Sequence, residues 1–347
     1  MGARRDHRVL DIASQAGLSR ATVDRVLHGR EGVRPETVAQ VNQAIAELER
    51  QREQVHLSGR TLILDLVMQT PQRFALASRQ ALEAELWSLR PTVLRARSHL
   101  TEHSDPTAAA AILDSIGRKR SHGVILKAPD HPLVVEAVDR LADRGIPTVT
   151  FVTDVPTSRR VAYLGMDNVA AGSTAAYLVT QRAGRSGSVL LTVSHSSFRG
   201  EEERGLGFRR TLADLAPQQA VHEVKDTDGL DESILVAVRG ALALHPSINA
   251  VYSAGGGNVA TLRAFEEVGV TPKVYIAHDL DGDNRGLLRT RRISMVLHHD
   301  LRADMRRACR VLLQARGVLP GRPESIPSQV QVVTPYNEPA SIYGAEL

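Results

Sequence analysis

Residues 18–33 read "LSRATVDRVLHGREGV". Ser19 stands where a helix N-cap stands, Val23, Val26 and Leu27 fall on one helical stripe, and Gly29 and Gly32 open a loop. The stripe commits one face of a short helix to a core, so Arg20, Ala21, Asp24 and Arg25 face outward. Upstream, Leu10, Ile12, Ala13 and Ala16 mark another short helix that Gly17 ends. Downstream, Pro35 suits the first turn of a third helix, whose Val38, Val41, Ile45 and Leu48 repeat at i, i+3, i+7 and i+10. The first 50 residues therefore spell helix, tight turn, helix, loop, longer helix. Two short helices across a glycine turn match the arrangement whose second helix enters the major groove of DNA. On that reading Arg20 and Arg25 each bond guanine through a planar fork, and Ala21 meets a thymine methyl. Ser19, Thr22 and His28 supply the small polar groups expected at phosphates. The bland alternative is the solvated face of a three-helix bundle.

The rest of the chain differs. The whole chain's 347 residues suffice for several cores, 42% of them are apolar, and with only 3% aromatics those cores must be built from Leu, Val, Ile and Ala. A net charge of +4, mostly arginine, permits a nucleic-acid partner without requiring one. The single cysteine, Cys309, excludes an internal disulfide and fits a reducing compartment; its helical apolar surroundings make it a packed residue. The N-terminal "MGARRDHRVLDIA" has no long apolar run, so no signal peptide is expected, and no segment approaches the ~20 apolar residues of a membrane span. A cytoplasmic location follows as an expectation.

Residues 50–60, "RQREQVHLSGR", are polar and end near Ser-Gly, the composition of a linker. Beyond them, eleven strand-length apolar runs, from "TLILDLVM" (61–68) to "SQVQVV" (328–333), alternate with amphipathic helical stretches. Strict alternation implies parallel sheets covered by helices on both faces, and so many strands imply two lobes. The expected architecture is a small all-α helix-turn-helix headpiece (1–50), a linker or hinge (51–61), and a two-lobe α/β domain with parallel sheets (62–347). Ligands of such sheets sit beyond the carboxyl ends of the strands, here the cleft between lobes.

The stretch "VLDIASQAGLSRATVDRVLHGREGVRPETVAQVNQAIAEL" (9–48) resembles the headpiece of LacI/GalR-type bacterial repressors. The resemblance is carried, without gaps, by Asp11-Ile12-Ala13, Ala16-Gly17-Leu18-Ser19, Thr22-Val23-Asp24-Arg25-Val26, Val33, Thr37 and Ala46-Glu47-Leu48. It implies that Arg20, Ala21 and Arg25 read bases. Asp24 departs from the family's usual serine, which puts one phosphate contact in doubt because a carboxylate repels phosphate. The family's alanine-rich hinge helix ends in a leucine that wedges into the minor groove; here "EQVHLSGR" (53–60) is shorter, more polar and contains Gly59, leaving Leu57 as the candidate wedge.

More weakly, residues 62–335 resemble the sugar-binding fold shared by these repressors and periplasmic sugar-binding proteins. The landmarks are "GIPTVTF" (145–151), "GMDNVAAG" (165–172), "RGLGFRRTL" (204–212) and "YIAHDLD" (275–281). Carried over position by position, the resemblance implies ligand contacts from Gln72, Phe74, Thr153, Asp154, Asn168, Arg204, His278, Asp279 and His299. Arg204 and Asp279 offer paired bonds to vicinal hydroxyls, and Phe74 offers a flat apolar face. "SAGGGN" (253–258) departs from the family's Asn-Asp: either Asn258 takes that role or the glycines only let a helix approach closely.

Other motifs carry no chemistry. "DLDGDN" (279–284) alternates carboxylates as a calcium loop does, yet its glycine is fourth rather than sixth and its twelfth residue is Thr290 rather than glutamate. "HHD" (298–300) lacks a third metal ligand, Gly255-Gly256-Gly257-Asn258 lacks the lysine of a phosphate loop, and "VSHSSFRG" (193–200) has no nucleophile elbow. With no catalytic constellation, no metal and no cofactor expected, the resemblance implies a ligand-responsive repressor. It would bind a palindromic double-stranded operator as a homodimer or tetramer and take a sugar or polyol effector. A solute-binding or sensor protein of the same two-lobe fold is the alternative.

Overall fold

A computed structural model of the chain describes residues 9–30, 32–57, 61–89, 92–103, 105–184, 187–194, 197–225, 227 and 230–339. The end of the expected linker, 58–60, lies outside the described residues, as do His195 and Ser196 of the serine-bearing stretch. The chain divides into two compact units, Met1–Thr61 with Arg90–Val93 and Leu62–Leu89 with Leu94–Leu347.

The first unit contains α1 (Val9–Ala16), α2 (Arg20–Leu27) and α3 (Pro35–Leu57). Ile12, Ala13, Ala16, Val23, Val26, Val41 and Ala44 form its core. The turn between α1 and α2 needs Gly17 at φ +64°, a left-handed conformation that costs glycine little. Gln40 of α3 donates its Nε2 to the Ala16 carbonyl at 2.8 Å, which occupies an otherwise open helix end. The stretch expected as a linker, 51–61, is helical as far as Leu57.

The second unit holds two sheets. In chain order its elements are β1 (Thr61–Gln69), α4 (Gln72–Glu85), β2 (Val93–Thr101), α5 (Pro106–Gly117), β3 (Gly123–Lys127), α6 (Pro132–Asp143), β4 (Thr148–Phe151), β5 (Ala162–Leu164), α7 (Asn168–Ala183), β6 (Ser188–Val193), α8 (Arg199–Leu215), β7 (Val221–Lys225), α9 (Asp231–Leu244), β8 (Ile248–Ser253), α10 (Asn258–Glu267), β9 (Val274–His278), α11 (Gly282–Arg289), β10 (Met295–His298), α12 (Leu301–Ala315) and β11 (Gln331–Val333). The sheet orders are β2-β1-β3-β4-β5 and β11-β10-β9-β8-β6-β7. Renumbered within its own lobe, each sheet begins 2-1-3-4-5, the order whose switch point opens a crevice at the strand ends. β1 with β3, β3 with β4, β4 with β5, β7 with β6, β6 with β8, β8 with β9 and β9 with β10 pair in parallel, while β10 and β11 run antiparallel. That edge strand departs from the all-parallel expectation. After β10 the chain returns to the first lobe, where α12 packs with α4 through Leu301, Met305, Ala308, Cys309 and Leu312, and β11 then closes the second. Burial pushes the Cys309 thiol up to about 12, so it is inert packing. Among the described residues no helix is long and apolar enough to cross a membrane.

Two glycines fix one helix pair. A Cβ on Gly172 of α7 would lie 1.9 Å from the Arg204 carbonyl oxygen of α8, and one on Gly207 would lie 2.1 Å from the Val169 carbonyl oxygen. Both obstacles are backbone, so a methyl at either place forces the helices apart. Gly207→Ala should cost about 1–3 kcal/mol, read as a lowered calorimetric Tm; an unchanged Tm would mean that this close crossing contributes nothing.

Candidate functional site

On α2, Ser19 caps the helix, its Oγ accepting from the Thr22 N–H at 3.1 Å and lying 2.8 Å from the Thr22 hydroxyl. At 100° per residue, Arg20, Ala21, Asp24, Arg25 and His28 span an arc of about 140° opposite the buried Val23 and Val26. Arg20, Ala21, Arg25, Ser19 and His28 are exposed and Thr22 is half-buried. Among the described residues neither the Arg20 nor the Arg25 side chain makes a hydrogen bond or ion pair. Asp24 is partnered: His28 Nδ1 lies 2.8 Å from its carbonyl oxygen and 3.2 Å from its carboxylate, and Arg30 lies 3.6 Å away. The carboxylate that stands in place of the family's serine is thus countered within the chain, and the two arginine forks stay free.

In the second unit, a cleft of about 750 Å³ opens between the lobes at the carboxyl ends of the strands. One lobe contributes Thr70 after β1, Arg73 and Phe74 on α4, Lys127 ending β3, and Val152 and Thr153 after β4. The other contributes Ser194 after β6, Glu201 and Arg204 on α8, Gly255 and Gly256 after β8, His278 ending β9, Asp279, and Asp281 and Asn284 around the start of α11. Val152 and Asp279 both have positive φ, +66° and +63°. A β-branched residue there is strained, and strain of this kind gathers at ligand sites. Both backbones are pinned: the Val152 N–H donates to the Leu164 carbonyl at 2.8 Å, and the Asp279 N–H to the Leu297 carbonyl at 2.9 Å.

Of the residues expected from the sequence, Phe74, Thr153, Arg204, His278 and Asp279 line this cleft together. Asn168 and His299 stand buried behind it. Asn168 Oδ1 accepts from Arg204 Nε at 2.9 Å, while Arg204 Nη1 donates to the Ala254 carbonyl at 2.9 Å and lies 3.9 Å from Asp279. The Gly172 and Gly207 crossing is what brings α8 close enough to α7 for the Asn168 bond. Asn258 is further back: it donates to Asn284 Oδ1 at 2.7 Å and accepts from the Tyr275 hydroxyl at 2.9 Å. It therefore orients a lining residue rather than lining the cleft. Gln72 has an exposed side chain and gives only its backbone N–H, to Glu102 at 3.2 Å. Asp154 is consumed by Arg160, the Thr150 hydroxyl and the Val155 N–H.

Sequence reasoning passed over Lys127, Arg73, Glu201, Ser194, Asp281 and Asn284. Lys127 was visible as a cation ending an otherwise apolar strand, and Asp281 and Asn284 sit inside the motif weighed as a calcium loop. Asp281 instead caps α11, accepting from the Asn284 N–H at 2.9 Å, with Arg73 3.4 Å away across the cleft; burial raises its carboxyl to about 6. Among the described residues no group of His, Cys, Asp or Glu is arranged to hold a metal ion.

The electrostatic centre is a buried row. His299 touches Asp304 through Nδ1 and lies 3.5 Å from Asp279 through Nε2. Burial alone would lower its pKa, but the two carboxylates outweigh burial and raise it to about 9. Asp279 is held well below the usual carboxylate range: burial opposes this, and His299 and Arg204 overcome it. Asp304 in turn accepts from the Ser328 hydroxyl, and the Ser328 N–H donates to the Gly165 carbonyl at 2.8 Å. The row thus joins the cleft to all three segments where the chain passes between lobes. Arg204 Nη2, Asp279 Oδ1 and His278 Nδ1 are buried with no hydrogen-bond partner among the described residues. Polar atoms so placed suit a small ligand rich in hydroxyls, which can both donate and accept.

Comparison with known proteins bears on both units. Residues 72–317 match the family model described as periplasmic binding protein domain, and residues 9–52 match that of bacterial regulatory proteins, lacI family. Among solved structures, a solute-binding protein from Burkholderia graminis, in complex with D-arabinose, is 20% identical with a TM-score of 0.73, over 81% of this chain and 97% of that one. A glucose-galactose binding protein from Geobacillus stearothermophilus is 18% identical with a TM-score of 0.71, over 81% of this chain and 100% of that one. A putative LacI transcriptional regulator from Bacteroides fragilis is 13% identical with a TM-score of 0.70, over 80% of this chain and 98% of that one. No curated protein matches the chain.

Proposed function

We propose, because the chain belongs to the periplasmic binding protein domain family and carries an N-terminal domain of the lacI family of bacterial regulatory proteins, that it is a transcriptional repressor controlled by a small polar effector. Two copies bind a palindromic operator through their α2 helices, Arg20 and Arg25 reading guanine, Ala21 a thymine methyl, and Ser19, Thr22 and His28 meeting phosphates. A sugar or polyol enters the cleft, contacted by Phe74, Thr153, Arg204, His278 and Asp279. The solute-binding proteins of similar fold, one of them in complex with D-arabinose, favour a sugar. The effector acts by binding one arrangement of the lobes better than another, since equal affinity for both would shift nothing.

The observation that carries this reading is the pairing, in one chain, of a free arginine face on a capped helix with a cleft whose buried polar atoms Arg204 Nη2, Asp279 Oδ1 and His278 Nδ1 lack hydrogen bonds among the described residues. Binding to selected duplexes at ~150 mM salt tests it, because salt sets non-specific affinity. Arg20→Ala and Arg25→Ala should each weaken binding by about 1–3 kcal/mol and relax preference at one guanine. Unchanged preference in both variants would remove α2 from the interface.

A further inference from the structure

We propose that the effector is a carboxylate-bearing sugar, a uronic or aldonic acid, whose carboxylate is held by Lys127 and Arg204; this rests on the cleft being the effector site. Lys127 lines the cleft, is 6% exposed, and has its Nζ 4.0 Å from the centre of the Phe198 ring. Among the described residues its ammonium makes no hydrogen bond and has no carboxylate within 4.0 Å. The other buried cations of this lobe pair are engaged: Arg204 by Asn168, Ala254 and Asp279, His299 by two carboxylates, Arg285 by Glu338. A buried ammonium satisfied on one side by an aromatic face needs acceptors on its other side. That side is the cleft.

Arg204 Nη2 is a second donor without a partner among the described residues. The nearby acids do not cancel the pair. Asp279 is already balanced between His299 and Arg204. Glu201 accepts the Ser194 N–H at 2.7 Å and has no ion pair within 4.0 Å to Lys127 or Arg204; burial raises its carboxyl pKa against the attraction of those two cations. Neutral sugars bring only hydroxyl oxygens to that ammonium, and amino sugars bring a like charge. The hydroxyls of the acid meet Asp279 Oδ1 and His278 Nδ1, and its ring meets Phe74.

The test is titration calorimetry on the full chain with matched series: glucose, glucuronate, gluconate and glucosamine, then galactose and galacturonate. At least one acid should bind, with its neutral counterpart weaker by about 30-fold or more, and Lys127→Met should lose about 30-fold or more for that acid. Ligand-free Lys127→Met should melt no lower than the wild type, since it removes a buried charge that meets the Phe198 ring but no carboxylate within 4.0 Å among the described residues. A neutral hexose or an amino sugar that outbinds its acid counterpart would overturn the acid class and leave the effector reading standing. An acid bound equally well by Lys127→Met would overturn the assignment of Lys127. No member of either series binding would overturn both.

Discussion

Arg204→Ala is expected to weaken effector binding by about 2–5 kcal/mol, at least about 30-fold, for whichever ligand the wild-type chain binds in calorimetry. Three of the side chain's polar atoms are committed on its own lobe or left open to the cleft. Nε is fixed by Asn168, Nη1 by the Ala254 carbonyl, and Nη2 has no partner among the described residues. A pre-oriented donor of that kind binds without paying to be ordered, which is why its loss costs more than an exposed contact would. Truncation also leaves Asp279 with one cation fewer. Arg204→Lys should fail to restore affinity, because an ammonium cannot hold Asn168 and Ala254 while also presenting a third donor. Wild-type affinity in Arg204→Lys would show that charge alone, and not the fork, is used.

His299→Gln is expected to cost about 3–5 kcal/mol of stability, the range for removing one partner of a buried ion pair. The substitution leaves Asp279 and Asp304 facing each other across a neutral amide. The same row dictates pH dependence. Because the folded His299 pKa of about 9 stands above its ordinary 6.5, its contribution is complete below about 6.5 and is lost as pH rises through about 9. That shift amounts to about 3 kcal/mol. Calorimetric scans should therefore show the wild-type Tm falling between pH 7 and 9. In His299→Gln that fall should be absent, and stability should instead improve on mild acidification, as the two carboxylates take up a proton. A wild-type Tm flat from pH 7 to 9 would contradict the charged state of His299.

The second helix of the first unit was legible because its signals are local. An N-cap serine, a valine stripe and flanking glycines lie within a dozen residues, and they define a face whether or not the rest of the chain folds. The sheet was legible for the same reason, strand by strand. The antiparallel β11 was not, because direction depends on where the chain re-enters the second lobe, and periodicity is blind to direction. The cleft was partly legible. Phe74, Thr153, Arg204, His278 and Asp279 stand at or just past strand ends, or in a motif that the resemblance carried. His299 stands past a strand end too, but its ring turns to α12 and Asp304, which no spacing records. Asp154 was spent on Arg160, a pairing indistinguishable in sequence from many other acid–base neighbours. Lys127 and Glu201, 74 positions apart, become neighbours only once β3 and α8 meet from opposite lobes.

The most direct test of the account is selection from a random duplex library by the full chain at ~150 mM salt, repeated with the matched sugar series present. The account predicts one palindromic motif, enriched by the wild type and lost with the double variant Arg20→Ala/Arg25→Ala. It also predicts that its retention changes with the sugar that calorimetry finds in the cleft. Failure to enrich any motif, with sugars and without, would contradict it.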